Sequence, residues 1–122
     1  MKFSEYQKLA IVTKQHFDKK EGDIANCGLG ITGEAGEIAE MLKKHLSGSK
    51  LLFVLDGVEI DPDEREKCTE RMEKLKFEIG DVMWYIASLC DCMGFDMGEV
   101  AEMNIAKLKK RHGDSYSGYG KR

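Results

Sequence analysis

Glu34, Glu37, Glu78 and Asp81 are the residues whose types and spacing can do chemistry. They occur in two copies of one phrase, Glu34-Ala35-Gly36-Glu37-Ile38 and Glu78-Ile79-Gly80-Asp81-Val82. Both read acid, apolar, Gly, acid, β-branched. On a helix, positions three apart share a face, so each phrase aims two carboxylates the same way. At a turn of about 100° per residue, Ile38, Met41 and His45 fall beside Glu34, and Val82, Tyr85 and Leu89 fall beside Glu78. The first acid of each pair therefore points into an apolar stripe, while Glu37 and Asp81 take its edge. A carboxylate among apolar neighbours is costly and tends to neutralise. Four of them meeting between two helices repel one another unless a cation sits among them, and hard oxygen ligands suit Mg²⁺ or Mn²⁺. One Glu-x-x-Glu is an ordinary solvated helix face; two matched copies, each with an acid inside the apolar arc, argue for a site. Gly36 and Gly80 add to this. A glycine inside a helix costs about 1 kcal/mol relative to alanine, and the benefit expected here is close approach of helix to helix, or of backbone to a ligand.

Such pairs need long helices to carry them. The pattern predicts a first helix over Met1 to Lys20, opened by a Ser4–Gln7 capping box, with Tyr6, Leu9, Ala10, Thr13 and Phe17 inward. A second helix is expected from Asn26 to about Leu46. Glu40, Lys43 and Lys44 lie off its apolar stripe and read as solvated. Leu51 to Ile60 departs from helical periodicity and, with Asp56-Gly57 at its centre, reads as a small β-hairpin. Asp61-Pro62 is a cap followed by a first-turn proline, opening a long helix to about Met93 whose charged first half reads as exposed. Trp84 shares a face with Phe77 away from the acids; it suits packing, and it also offers a ring on which a base can stack. Gly94 and Asp96 separate this helix from a last one, Met97 to about His112. Along that helix Asn104, Lys107 and Arg111 form a stripe of amide, ammonium and guanidinium suited to phosphate oxygens. The expected fold is all-α, a four-helix-type bundle with a β-hairpin insertion at about residues 50–61 between the second and third helices. The domain spans residues 1–113, and residues 114–122, with Tyr116 and Tyr119, form a flexible tail.

The chain has 122 residues, enough for one domain with its own core. Its net charge of −3 speaks against a nucleic-acid polymer as partner. No apolar run approaches the roughly 18 residues of a membrane helix, and the N-terminus carries no leader pattern, so a cytoplasmic protein without a membrane partner is expected. Cys27, Cys68, Cys90 and Cys92 lack zinc-site spacing and read as reduced core or surface residues. A di-iron carboxylate site needs Glu-x-x-His, and His16, His45 and His112 do not follow an acid at that spacing.

Tyr6-Gln7, Gly33-Glu34-Ala35-Gly36-Glu37-Ile38-Ala39-Glu40, Glu78-Ile79-Gly80-Asp81-Val82-Met83-Trp84-Tyr85 and Asn104-Ile105-Ala106-Lys107-Leu108 together resemble the MazG-like all-α nucleotide pyrophosphohydrolases, in order and spacing, over nearly the whole chain. The resemblance implies Mg²⁺-dependent hydrolysis of nucleoside triphosphates, deoxynucleotides included, to monophosphate and pyrophosphate. It implies that Glu34, Glu37, Glu78 and Asp81 are metal ligands; from the chemistry of the residues themselves, Glu34 or Glu37 is also the carboxylate expected to orient the attacking water. It implies that Asn104 and Lys107 bind the nucleotide, with Arg111 helping on phosphate; Trp84, read from its helix face alone, is a further candidate for substrate contact or a subunit-contact anchor. It implies a homodimer or homotetramer. The insertion from Leu51 to Lys74 is longer and more β-like than the family's usual link. A phosphoribosyl-nucleotide pyrophosphohydrolase of the same fold and a non-enzymatic helical interaction module are the alternatives.

Overall fold

A computed structural model of the chain describes residues 1–116. Its elements are α1 (Phe3–Ala10), which tightens into a 3₁₀ turn at Ile11–Thr13, then α2 (Lys20–Leu46), α3 (Pro62–Met93), α4 (Met97–Arg111) and a closing 3₁₀ turn at Gly113–Tyr116. α2 packs along α3, and α1 packs on α3 and α4. The described residues form helices only, as the all-α part of the expectation has it, but without the β-hairpin that was part of it. Of the expected tail, residues 117–122, Tyr119 among them, lie outside the described residues.

α1 is shorter than expected because its end is pinned. The Trp84 indole Nε1 donates to Ala10 O at 2.9 Å and to Thr13 Oγ1 at 3.0 Å. The backbone then turns extended at Lys14, whose side chain runs in to α3. The chain re-enters a helix earlier than the apolar spacing suggested. Phe17 N donates to Asp23 Oδ1 at 2.7 Å, which folds the connection back onto the first turn of α2.

The Ser4–Gln7 capping box does not form, since Lys2 is the N-cap of α1 and no side chain caps it. Both side chains reach instead to the α3–α4 corner. Gln7 Nε2 donates to Phe95 O at 2.9 Å and Gln7 Oε1 accepts from Met97 N at 2.7 Å. Asp96 caps α4 by accepting from Gly98 N and Glu99 N, and its Oδ1 also accepts from Ser4 Oγ at 2.7 Å. Those hydrogen bonds, the one from Ser4 foremost, hold the Asp96 carboxyl below its ordinary value. Asp96→Ala removes the N-cap of α4 and should lower the urea unfolding midpoint near neutral pH. Asp96 keeps its proton less tightly folded than unfolded, so its contribution is present above the ordinary carboxylate range and fades as pH falls through the folded value.

No strand exists among the described residues, so the expected β-hairpin is wrong. The turn at Asp56-Gly57 does form: Val58 N donates to Leu55 O at 3.2 Å, with Gly57 at φ 82°. Its flanks do not pair with each other, because the helices satisfy them. Leu52 N donates to His45 Nδ1 at 3.0 Å, Arg71 Nη1 donates to Leu51 O at 2.8 Å, and Phe53 lies against the His45 ring at 4.3 Å. Leu52 is buried beneath the loop. A backbone already supplied with partners from two helices gains little from a short ladder.

The core is thin. Ala87, Cys90 and Met97 are buried together, with Tyr6, Ala10 and Ile86 against them. Leu9 and Phe17, expected inward, stay exposed.

Candidate metal and phosphate site

α2 and α3 run antiparallel, and contacts along them keep one register. Cys27 meets Ser88, Gly30 meets Tyr85, and Glu37 faces Glu78. That register carries the two acidic phrases to the same level. Oxygens of Glu34, Glu78 and Asp81 all lie within 4.8 Å of one another. Glu34 and Glu78 are half-buried, while Glu37 and Asp81 are exposed, so the inward and edge positions fall where the helical wheel put them. One oxygen of each inner acid, Glu34 Oε2 and Glu78 Oε2, is sealed from solvent and has no hydrogen-bond partner. Buried polar atoms are nearly always partnered, and an unpaired carboxylate oxygen is among the costliest exceptions. Three convergent carboxylates with two orphaned oxygens fit a divalent cation of the hard, oxygen-seeking kind.

Glu37 completes the rim. Its carboxyl is held above its ordinary value by Glu78, through a hydrogen bond first and charge second; burial and Asp81 push the same way, and Lys74 opposes them. Glu37 thus keeps its proton more tightly folded than unfolded. That contribution to stability is present below the unfolded value and is lost as pH rises through the folded one. In metal-free protein, the unfolding midpoint should fall across that window and the fall should vanish in Glu37→Gln. Thermal scans in chelator from pH 4 to 7 read this directly; an unchanged slope in the variant would refute the coupling.

Close helix approach was expected at Gly36 and Gly80, but a Cβ added at either meets nothing within 4 Å. The glycine that lets α2 and α3 close is Gly30, where a Cβ would run into the Tyr85 ring. Tyr85 in turn stands edge-on to Trp84 at 5.0 Å.

Glu37 and Glu78 share a hollow with cations. Glu37, Glu40, Met41, Lys44, Lys74 and Glu78 line a hollow of about 240 Å³. It shares Met41, Lys44 and Lys74 with a second hollow of about 210 Å³ that adds Lys50, Leu52 and Arg71. Arg71 is held in place by Glu64 Oε1 at 2.9 Å as well as by Leu51 O. Reading the helices singly put Glu40 and Lys44 on a solvated face and the first half of α3 in solvent. The available signal was spacing: Lys44 lies seven residues after Glu37 and Arg71 seven before Glu78, two turns along the same faces. Asn104, Lys107 and Arg111 are exposed along α4 and line neither hollow. Trp84 uses its indole N–H on the end of α1.

Helix-borne carboxylates converging beside a lysine-lined cleft define a class: an all-α protein whose acidic cluster offers ligands suited to a divalent cation. Residues 24–115 match the MazG nucleotide pyrophosphohydrolase domain, and the chain belongs to that family. It is also similar to the Gene 37 protein of Mycobacterium phage L5, 36% identical over 83 residues that make up 68% of this chain and 60% of that protein. The chain thus spans about 60% of the length of that relative. No solved structure matches. Among the described residues, no helix is long and apolar enough to cross a membrane.

Proposed function

We propose that this chain hydrolyses nucleoside triphosphates, deoxynucleotides included, to nucleoside monophosphate and pyrophosphate with Mg²⁺, for which Mn²⁺ can substitute. The observation that carries the reading is the pair of sealed, unpartnered oxygens on Glu34 and Glu78; Glu78 also borders a cleft walled by Lys44 and Lys74. Glu34, Glu78 and Asp81 would hold the cation, with Glu37 at the rim. Bound there, it supplies neutralisation of phosphate charge and a more acidic water. The chain's own residues do the rest. Glu34 or Glu37 orients the water in line with the departing pyrophosphate. Lys44, Lys74 and, further along, Lys50 and Arg71 take the negative charge of the phosphates that leave.

Asn104, Lys107 and Arg111 bind the nucleotide in this reading. They line neither hollow within one chain, so they reach the substrate from a second copy. Large apolar side chains left exposed, such as Leu29 at 76% and Phe77 at 69%, favour such a homodimer or homotetramer. Trp84 remains a candidate support for the base through its ring face.

A panel of ribo- and deoxynucleoside triphosphates with Mg²⁺, scored for pyrophosphate against orthophosphate, tests the reaction. Pyrophosphate release is expected; orthophosphate alone, or no release from any member, overturns it. Mixing Glu78→Gln with Lys107→Ala protein tests the shared site, since mixed oligomers should regain activity that neither variant has.

A further inference from the structure

A second group of reactive side chains lies two turns of α2 before Glu34. Cys27 on α2 and Cys92 on α3 bring their sulfurs to 4.0 Å. Cys27 is 1% exposed, its Sγ lies 3.3 Å from Ser88 Oγ, and burial pushes its thiol up. Cys92 is half-buried and reaches solvent. Beside it stands Lys14, with a side chain only 4% exposed. Lys14 Nζ is 3.0 Å from Cys92 Sγ, 3.0 Å from Asp91 Oδ2 and 3.2 Å from Ser88 O. Burial alone works against its charge, but Cys92 and Asp91 more than offset this and raise its affinity for the proton. Among the described residues no other pair of cysteines comes so close.

We propose that Cys27 and Cys92 are a peroxide-reactive dithiol that closes a disulfide between α2 and α3. A thiolate is the attacking form of cysteine, and Cys92 is the less buried member of the pair, with the Lys14 ammonium 3.0 Å from its sulfur. Its sulfur attacks hydrogen peroxide, the O–O bond breaks, and sulfenic acid and hydroxide form. Cys27 sulfur then attacks Cys92 sulfur. The S–S bond forms, the S–O bond breaks, and the hydroxyl leaves with the Cys27 proton as water. Two electrons pass from the thiols to the peroxide, and a dithiol reductant returns the pair to its starting state. Lys14 positions the first sulfur and neutralises the charge beside it. The proposal requires neither metal nor nucleotide.

The test treats the full chain with one equivalent of hydrogen peroxide, blocks remaining thiols, and maps fragments without reduction. Cleavage before aspartate separates Cys90 from Cys92, because Asp91 lies between them. The expected result is one cross-link joining the fragment with Cys27 to the fragment that begins at Asp91. It carries a mass loss of two hydrogens, is reversed by dithiothreitol, and is missing in Cys27→Ser and in Cys92→Ser. A cross-link through Cys68 or Cys90, accumulation of Cys92 sulfinic acid without a bond to Cys27, or thiols that all survive would each overturn it. The wild-type map alone decides the matter, whether or not a variant folds.

Discussion

Glu78→Gln should lower Mg²⁺-dependent pyrophosphate release by about a thousandfold, the scale on which loss of one preorganised electrostatic group acts. The same substitution should make the metal-free protein more stable at neutral pH. Both effects come from one carboxylate. Glu78 is the principal reason that the Glu37 carboxyl is held up, and its own Oε2 is sealed without a partner. Removing the charge relieves the repulsion; it also removes a ligand from a group of three whose oxygens lie within 4.8 Å of one another. The opposed signs separate a site residue from a structural one, because loss of a merely structural group lowers stability and activity together. A third reading sharpens the outcome. Ligands that bind only the folded state raise its unfolding temperature, so millimolar Mg²⁺ should shift the wild type and leave Glu78→Gln unmoved. Full activity in the variant, or an unchanged response to Mg²⁺, would sink the assignment.

Gly30→Ala should destabilise the fold by about 1–3 kcal/mol, the usual cost of overpacking, although alanine is the better helix former by about 1 kcal/mol. The added Cβ would clash with the Tyr85 ring. To make room the ring must leave its edge-on contact with Trp84, which also ties α1 through its indole N–H. Gly36→Ala is the internal control. A Cβ there meets nothing within 4 Å, so it should gain up to about 1 kcal/mol from helix propensity alone. Urea unfolding of both variants, with Gly30→Ala/Tyr85→Ala closing the cycle, checks the argument. Gly30→Ala protein as stable as wild type would show that the two helices have slack at this crossing.

Several features were legible in the chain because they are local. Asp61-Pro62 opens α3 and Gly94-Phe95-Asp96 turns it into α4, since caps and left-handed stops depend on a few neighbouring residues. The inward aim of Glu34 and Glu78 follows from a turn of about 100° per residue. Ser4, Gln7 and Lys14 were not legible. Their spacing suits a cap or a surface, but their partners, Asp96, Phe95, Asp91 and Cys92, lie more than seventy residues away. The loop over Leu51 to Ile60 misled for the same reason. Its β-branched and apolar residues favour extended backbone, and whether that backbone pairs with itself or with His45 and Arg71 is not a local property.

By itself, the sequence determined an all-helical protein with two matched acidic phrases on inward faces, and it pointed to the MazG family. Tertiary structure decided which residues stand opposite which. The antiparallel register of α2 and α3 brings Glu34 to Glu78 and Asp81, puts Lys44 and Lys74 on the cleft wall, and sets Cys27 beside Cys92. The physical reason is that periodicity specifies the face a side chain takes on its own helix, while the charge or atom facing it across a gap depends on how two helices slide until a glycine such as Gly30 lets them close.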